Sequence, residues 1–163
     1  MQTLIQHDDI EHLLLERTFN APRQEVFKAW TDAETLAKWW GPEGFTNPVC
    51  EIDAQPQGAI RIDMKAPDGE IYPMSGTFRE VSPDKIVFSS AALDSAGRAI
   101  FEVLSIVTFI EDGDRTRVTL KVHVTDMTPM ALPYLDGMDE GWTQSFDRLE
   151  SLLAHSLGNS FIN

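Results

Sequence analysis

The stretch from Arg17 to Pro42, RTFNAPRQEVFKAWTDAETLAKWWGP, constrains the fold more than any other part of the chain. It joins a strand end, two short helices and a forced stop in one continuous signal. Pro22 follows Asn20 and Ala21 as a helix start, because a missing N–H is harmless at the first helical position and the fixed φ suits the helix. Val26, Phe27 and Trp30 then recur at helical spacing, with Arg23, Gln24, Glu25 and Lys28 on the other face. Asp32 is placed to cap a second helix carrying Leu36, Trp39 and Trp40, which Gly41-Pro42 stops.

At 163 residues the chain fits one domain, and a chain of this size buries about 70% of its unfolded surface, enough for a core with a cavity in it. The 26 acidic residues outnumber the 13 basic ones, for a net charge of −13. That balance excludes phosphate-backbone recognition, which needs clustered Lys and Arg, so neither nucleic acid nor an anionic membrane is an expected partner. A lone cysteine, Cys50, rules out an internal disulfide and fits a reducing compartment. Met1 to Glu11 shows no basic-then-apolar leader, and no apolar run approaches the ~18 residues of a membrane span, so a cytoplasmic location is expected.

Turn chemistry divides the middle of the chain into strands. After Glu11 to Phe19 and the helical pair come Val49 to Ala54, Ala59 to Ala66, Ile71 to Val81, Lys85 to Ala92, Phe101 to Glu111 and Thr116 to Thr125. They are separated by punctuation such as Pro67-Asp68-Gly69 and Asp112-Gly113-Asp114. Val118, Leu120, Val122 and Val124 alternate with Thr119, Lys121 and His123, and Ile60, Ile62 and Met64 alternate with Arg61, Asp63 and Lys65. Such strands belong to an antiparallel sheet covered on one face. The cover is a C-terminal helix: Met138, Trp142, Phe146, Leu149 and Leu153 form an apolar stripe opposite Asp139, Glu140, Asp147 and Glu150. Pro133 is expected to open it and Gly158 to lie past its end. The fold class is therefore α+β, a curved antiparallel sheet under a long helix, in one domain spanning 1–163 with a core of about 11–157 and tails at 1–10 and 158–163.

From about Leu15 to Leu153 the chain resembles the START-like or SRPBCC superfamily with its helix-grip fold, in the branch named for the activator of the heat-shock-protein-90 ATPase. The resemblance rests on Phe19-Asn20-Ala21-Pro22 with Val26-Phe27-Ala29-Trp30, on Leu36-Trp39-Trp40-Gly41-Pro42, on Gly76-Thr77-Phe78 and Val87-Phe88, and on Gly137 to Trp142 leading into Leu149. It implies a β-α-α-β6-α order and a cavity between sheet and long helix. Phe146 departs from the leucine usual in that branch, and its ring would narrow such a cavity. A shared reaction is not implied, since the superfamily holds lipid carriers, receptors, cyclases and co-chaperone domains.

Inward-facing positions supply the candidate cavity lining: Ile62, Met64, Met74, Phe78, Phe88, Phe109, Met138, Trp142 and Phe146, with Trp39 and Trp40 beside it. Methionines and aromatics suit an adaptable apolar ligand site, and the same set would equally fill a dry core. Adjacent helical positions cannot point the same way, so one of Trp39 and Trp40 faces the core while the other is free to sit at the cavity mouth. Tyr72, Ser90 and Thr108 are candidates to orient a ligand. Strand parity puts His123 on the outer face, and the acids Asp53, Asp63, Glu70 and Glu80 read as solvated. His7, Asp8, Asp9 and His12 have the residue types of a metal site without rigid support. Cys50 reads as a small hydrophobe.

No catalytic motif is present: there is no Ser/His/Asp arrangement and no phosphate loop. The expected function is therefore non-enzymatic binding of a small hydrophobic or aromatic molecule, with no cofactor and no metal. Two alternatives stand beside it. One is a co-chaperone-like interaction domain, against which the lack of a second module weighs; the other is a cyclase- or hydrolase-like enzyme, which requires Asp63, Glu80 or His123 to point into the cavity. Phe161, Ile162 and the sheet edges offer surfaces for a homodimer.

Overall fold

The computed structural model describes residues 11–162 along the backbone and side chains as far as Ala154. The readings placed on His7, Asp8 and Asp9, and on the side chains of Phe161 and Ile162, lie outside the described residues. Strand β1 (Glu11–Phe19) leads into α1 (Arg23–Thr31) and α2 (Ala33–Trp39), and six strands follow: β2 (Thr46–Ile52), β3 (Ala59–Lys65), β4 (Ile71–Ser82), β5 (Lys85–Leu93), β6 (Ala99–Asp112) and β7 (Arg115–Met127). A 3-10 turn, Pro129–Ala131, feeds α3 (Leu132–Ile162). This is the β-α-α-β6-α order. All seven strands pair antiparallel in one sheet, in the order β1-β7-β6-β5-β4-β3-β2.

The meander is in sequence order because each hairpin turn is too short to do otherwise. Its first strand closes on its last, Leu15 lying opposite Leu120 and Phe19 opposite Thr116. Alternation sets the faces: Val118, Leu120, Val122 and Val124 are buried toward α3, whereas Lys121 is exposed on the outer face. Gly76 lets β5 approach β4 closely, since a Cβ there would collide with the Ser89 carbonyl oxygen.

Asp32 caps α2, its carboxylate accepting from Thr35 N at 3.1 Å and from the Thr35 hydroxyl at 2.6 Å. Those bonds, the side-chain one first, hold its pKa below the ordinary value. Two boundaries differ from expectation. Pro22 is the N-cap of α1 rather than its first residue, with its carbonyl accepting from Glu25 N and Val26 N. Gly158 does not end α3, which continues to Ile162; one glycine costs a helix only about 1 kcal/mol, and no proline follows to enforce a stop.

The core is concentrated at one end of the layer between sheet and helix. Phe19, Val26, Trp39, Phe109, Phe146 and Leu149 are all essentially inaccessible. Trp30 sits at the centre, with ring centroids 4.8 Å from Trp39, 5.9 Å from Trp142 and 6.2 Å from Phe146. Burying Phe146, Leu149 and Leu153 stabilises helix docking by roughly 1.5–3 kcal/mol each. Among the described residues no helix is long and apolar enough to cross a membrane.

Candidate functional site

The other end of the same layer is not filled. A cavity of about 340 Å³ lies there, floored by β4 to β7, roofed by α3 and walled by the α2–β2 connection. Six of the residues singled out by sequence line it: Trp40, Met64, Met74, Phe88, Met138 and Trp142. The remaining five do not. Trp39, Phe109 and Phe146 are core residues: Trp39 donates its indole N–H to the Ala29 carbonyl at 3.0 Å, Phe109 packs edge-on to Phe27 at 5.7 Å, and Phe146 to Phe19 at 5.5 Å. Ile62 and Phe78 border a separate void of about 20 Å³. Strand parity put Ile62, Phe78 and Phe109 on the correct side of the sheet, and helical spacing put Trp39 and Phe146 on inward faces, but distance along each element separates cavity from core, and periodicity carries no such information.

Phe146 therefore leaves the cavity unnarrowed, because its ring turns toward Phe19 and Trp30. Trp40 is half-buried and lines the cavity. With Met74 and Phe88 it lines both the main cavity and the small void, and so forms the partition between them. Its ring meets Trp142 edge-on at 5.1 Å. Among the groups expected to orient a ligand, Tyr72 and Ser90 line the cavity, whereas Thr108 does not, lying opposite Lys85 and Thr119 on the outer face.

Several lining residues were not singled out from sequence. Tyr134 stands one turn before Met138, so extending the helix stripe backwards would have found it. Its ring packs against Phe101 at 5.8 Å and Tyr72 at 6.5 Å, and Tyr72 in turn meets Phe45 at 6.0 Å. These four rings close the end away from the tryptophans. Burial, followed by Asp68, Glu70 and Tyr134, raises the Tyr72 pKa, so its phenol stays protonated and able to donate.

Gly137 and Gly141 lie on the cavity side of α3. Gly137 is exposed while lining the cavity, so the cavity reaches solvent at that turn, and a Cβ there would meet nothing within 4 Å. At Gly141 a Cβ would approach Pro42 Cγ at 3.7 Å, an ordinary contact. Both glycines keep side-chain volume out of the space beneath the helix.

The wall from Trp40 to Pro42 is held by two polar side chains. Arg148 of α3 donates to the carbonyls of Lys38, Trp40, Gly41 and Pro42 at 2.9–3.1 Å. Asn47 of β2 donates to those of Ala37 and Trp40, both at 2.9 Å. Together they pair the carbonyls of Ala37, Lys38 and Trp40 at the C-terminal end of α2, which the helix backbone leaves free. Gly41 makes the turn at φ 98°, where a Cβ would press on Met64 Sδ at 3.0 Å. Arg148 was missed by sequence reading; the one clue is a cation on a helix whose polar face is otherwise acidic.

Among the described residues no charged side chain or histidine lines the cavity. Asp63, Glu80 and His123 all lie elsewhere, Asp63 and His123 on the outer face of the sheet. His12 approaches the Leu135 carbonyl through Nε2 at 2.9 Å, and the described residues contain no cluster of three metal-ligating side chains. Cys50 is half-buried, and burial pushes its thiol up to about 11.

A sheet wrapped against a long C-terminal helix, with an open apolar cavity between them, defines a helix-grip protein of the START-like, SRPBCC class. The chain belongs to the AHSA1 family, described as Activator of Hsp90 ATPase homolog 1-like protein, whose pattern matches residues 20–154. Solved structures agree. A protein from Nitrosomonas europaea is 27% identical, with 90% of this chain and 96% of that one covered and a TM-score of 0.75. The AHSA1 protein from Silicibacter pomeroyi is 28% identical, covering 88% and 98% at a TM-score of 0.75. A protein from Chromobacterium violaceum is 28% identical, covering 86% and 95% at 0.72. No curated protein matches the chain.

Proposed function

We propose that this protein binds a small apolar or aromatic molecule in the cavity beneath α3 and does so without catalysing a reaction. The observation that carries this reading is the space itself: about 340 Å³, walled by methionine and aromatic side chains, under a helix that presents two glycines to it. That volume falls at the lower end of the ~300–1,000 Å³ typical of small-molecule sites. Release of water from Met64, Met138, Trp40 and Trp142 would supply most of the affinity. Among the described residues the lining holds no carboxylate or imidazole to serve as a general base, so binding is the chemistry these side chains support.

N-Phenylnaphthylamine, a neutral fluorophore that brightens in apolar surroundings, tests this directly. Trp40 and Trp142 stand in the wall, so excitation of tryptophan should produce probe emission by energy transfer, saturating at one equivalent. A Gly137→Phe variant, which blocks the opening, should abolish the saturable signal. Probe emission no stronger than in buffer, or binding indifferent to Gly137→Phe, would refute the reading.

A further inference from the structure

The floor of the cavity carries a serine hydroxyl, that of Ser105, in an otherwise largely apolar lining. Three polar side chains belong to the buried set: Ser105, Thr116 and Ser145. Thr116 donates to the Ala21 carbonyl at 2.8 Å, and Ser145 donates to Gly141 O at 3.0 Å while accepting from Gly41 N at 3.1 Å. Ser105, only 2% exposed, makes no such bond among the described residues, and it lines the cavity. It stands on β6 between Phe88 of β5 and Val122 of β7, an otherwise apolar floor.

Register places a second hydroxyl nearby. Ser90 lies opposite Val103 and Phe88 opposite Ser105, so the two serines are diagonal neighbours on the cavity face, their Cβ atoms roughly 7 Å apart. Because the cavity reaches solvent, water can serve this hydroxyl before a ligand enters; a ligand that displaces the water without offering an oxygen leaves the hydroxyl unpaired at a cost, which an oxygen-bearing ligand avoids.

Charge narrows the chemistry further. Among the described residues no lysine, arginine or histidine lines the cavity, and the chain carries −13 overall, so a carboxylate or phosphate drawn inside would be desolvated with no counter-charge from them. A purely hydrocarbon ligand would leave Ser105 unpaired.

Resting on the binding function proposed above, we infer that the ligand is an uncharged ring compound bearing a hydroxyl or ketone oxygen, and that this oxygen bonds Ser105 on the cavity floor, with Ser90 as its second partner. The apolar body of the ligand then lies between Met64, Met138 and the Trp40–Trp142 pair. Ser105 is thus a specificity-determining residue: it selects for an oxygen, while the absence of a cation selects against its ionised form.

Displacement of N-phenylnaphthylamine by naphthol, naphthalene and naphthoate at pH 7 separates these demands, since the three share a ring body. Naphthol is expected to bind about three- to tenfold more tightly than naphthalene, the range of one net hydrogen bond, and naphthoate at least tenfold more weakly than naphthol. Ser105→Ala should remove the naphthol advantage without weakening naphthalene binding, with thermal unfolding no lower than in the parent because the hydroxyl removed bonds no described residue. Ser90→Ala should reduce the advantage in part. If naphthalene and naphthol bind equally, or naphthol retains its advantage in Ser105→Ala, the inference is overturned while cavity binding stands. If none of the three displaces the probe and the probe itself does not bind, the binding function falls, and this inference with it.

Discussion

Replacing Gly137 with alanine should make the unliganded protein more stable and a poorer binder. Gly137 lies inside α3, where glycine costs about 0.8–1 kcal/mol relative to alanine because of the backbone freedom it surrenders. Its φ is not among the positive ones, and the new methyl would meet no atom within 4 Å, so neither strain nor overlap opposes the gain. Gly141→Ala should yield a similar amount, its methyl sitting 3.7 Å from Pro42 Cγ. Together the two substitutions predict about 1.6–2 kcal/mol, or a rise in Tm of roughly 3–8 °C for a chain of this size. Scanning calorimetry of the single and double variants measures this, and titration with N-phenylnaphthylamine measures the loss of room. A fall in Tm for Gly137→Ala would show that the underside of the helix is already in contact with the sheet, refuting the reasoning that glycine keeps this space open. Natural chains accept such stability losses where function needs the geometry.

Removing the guanidinium in Arg148→Met keeps the aliphatic stem but leaves the carbonyls of Lys38, Trp40, Gly41 and Pro42 without that donor. A loss of about 2–3 kcal/mol in urea unfolding is expected, with hydrogen exchange rising first at the amides following α2; unchanged exchange there would show that Asn47 alone holds the wall. For Cys50, burial that raises the thiol from 9.0 to about 11 leaves only about one part in a thousand as thiolate at pH 8, so alkylation should run roughly a hundredfold slower than for a free cysteine. The rate should climb tenfold per pH unit up to that value, as the thiolate fraction does; a plateau near pH 9 would contradict the burial argument.

The local pattern carried a large share of the fold. Short turns between alternating strands allow only a meander, and the stripe from Met138 to Leu153 can be buried only against the apolar face those strands present, so architecture follows from period and turn chemistry. Gly41-Pro42 and the Asp32 cap are equally local, because each acts through its own backbone or through a residue three positions away. Where the interior is full and where it is empty was not legible. Phe109 and Met64 have the same inward parity, yet one packs under α1 and the other borders the cavity. Ser105 shares the inward face of β6 with Val103 and Val107 and gains meaning only when Phe88, Val122 and the helix close around it. Arg148 finds its four carbonyls across more than a hundred residues of chain. Periodicity states which way a side chain points; only the assembled layers decide how far apart they stand, since packing density depends on partners that the chain brings together from distant positions.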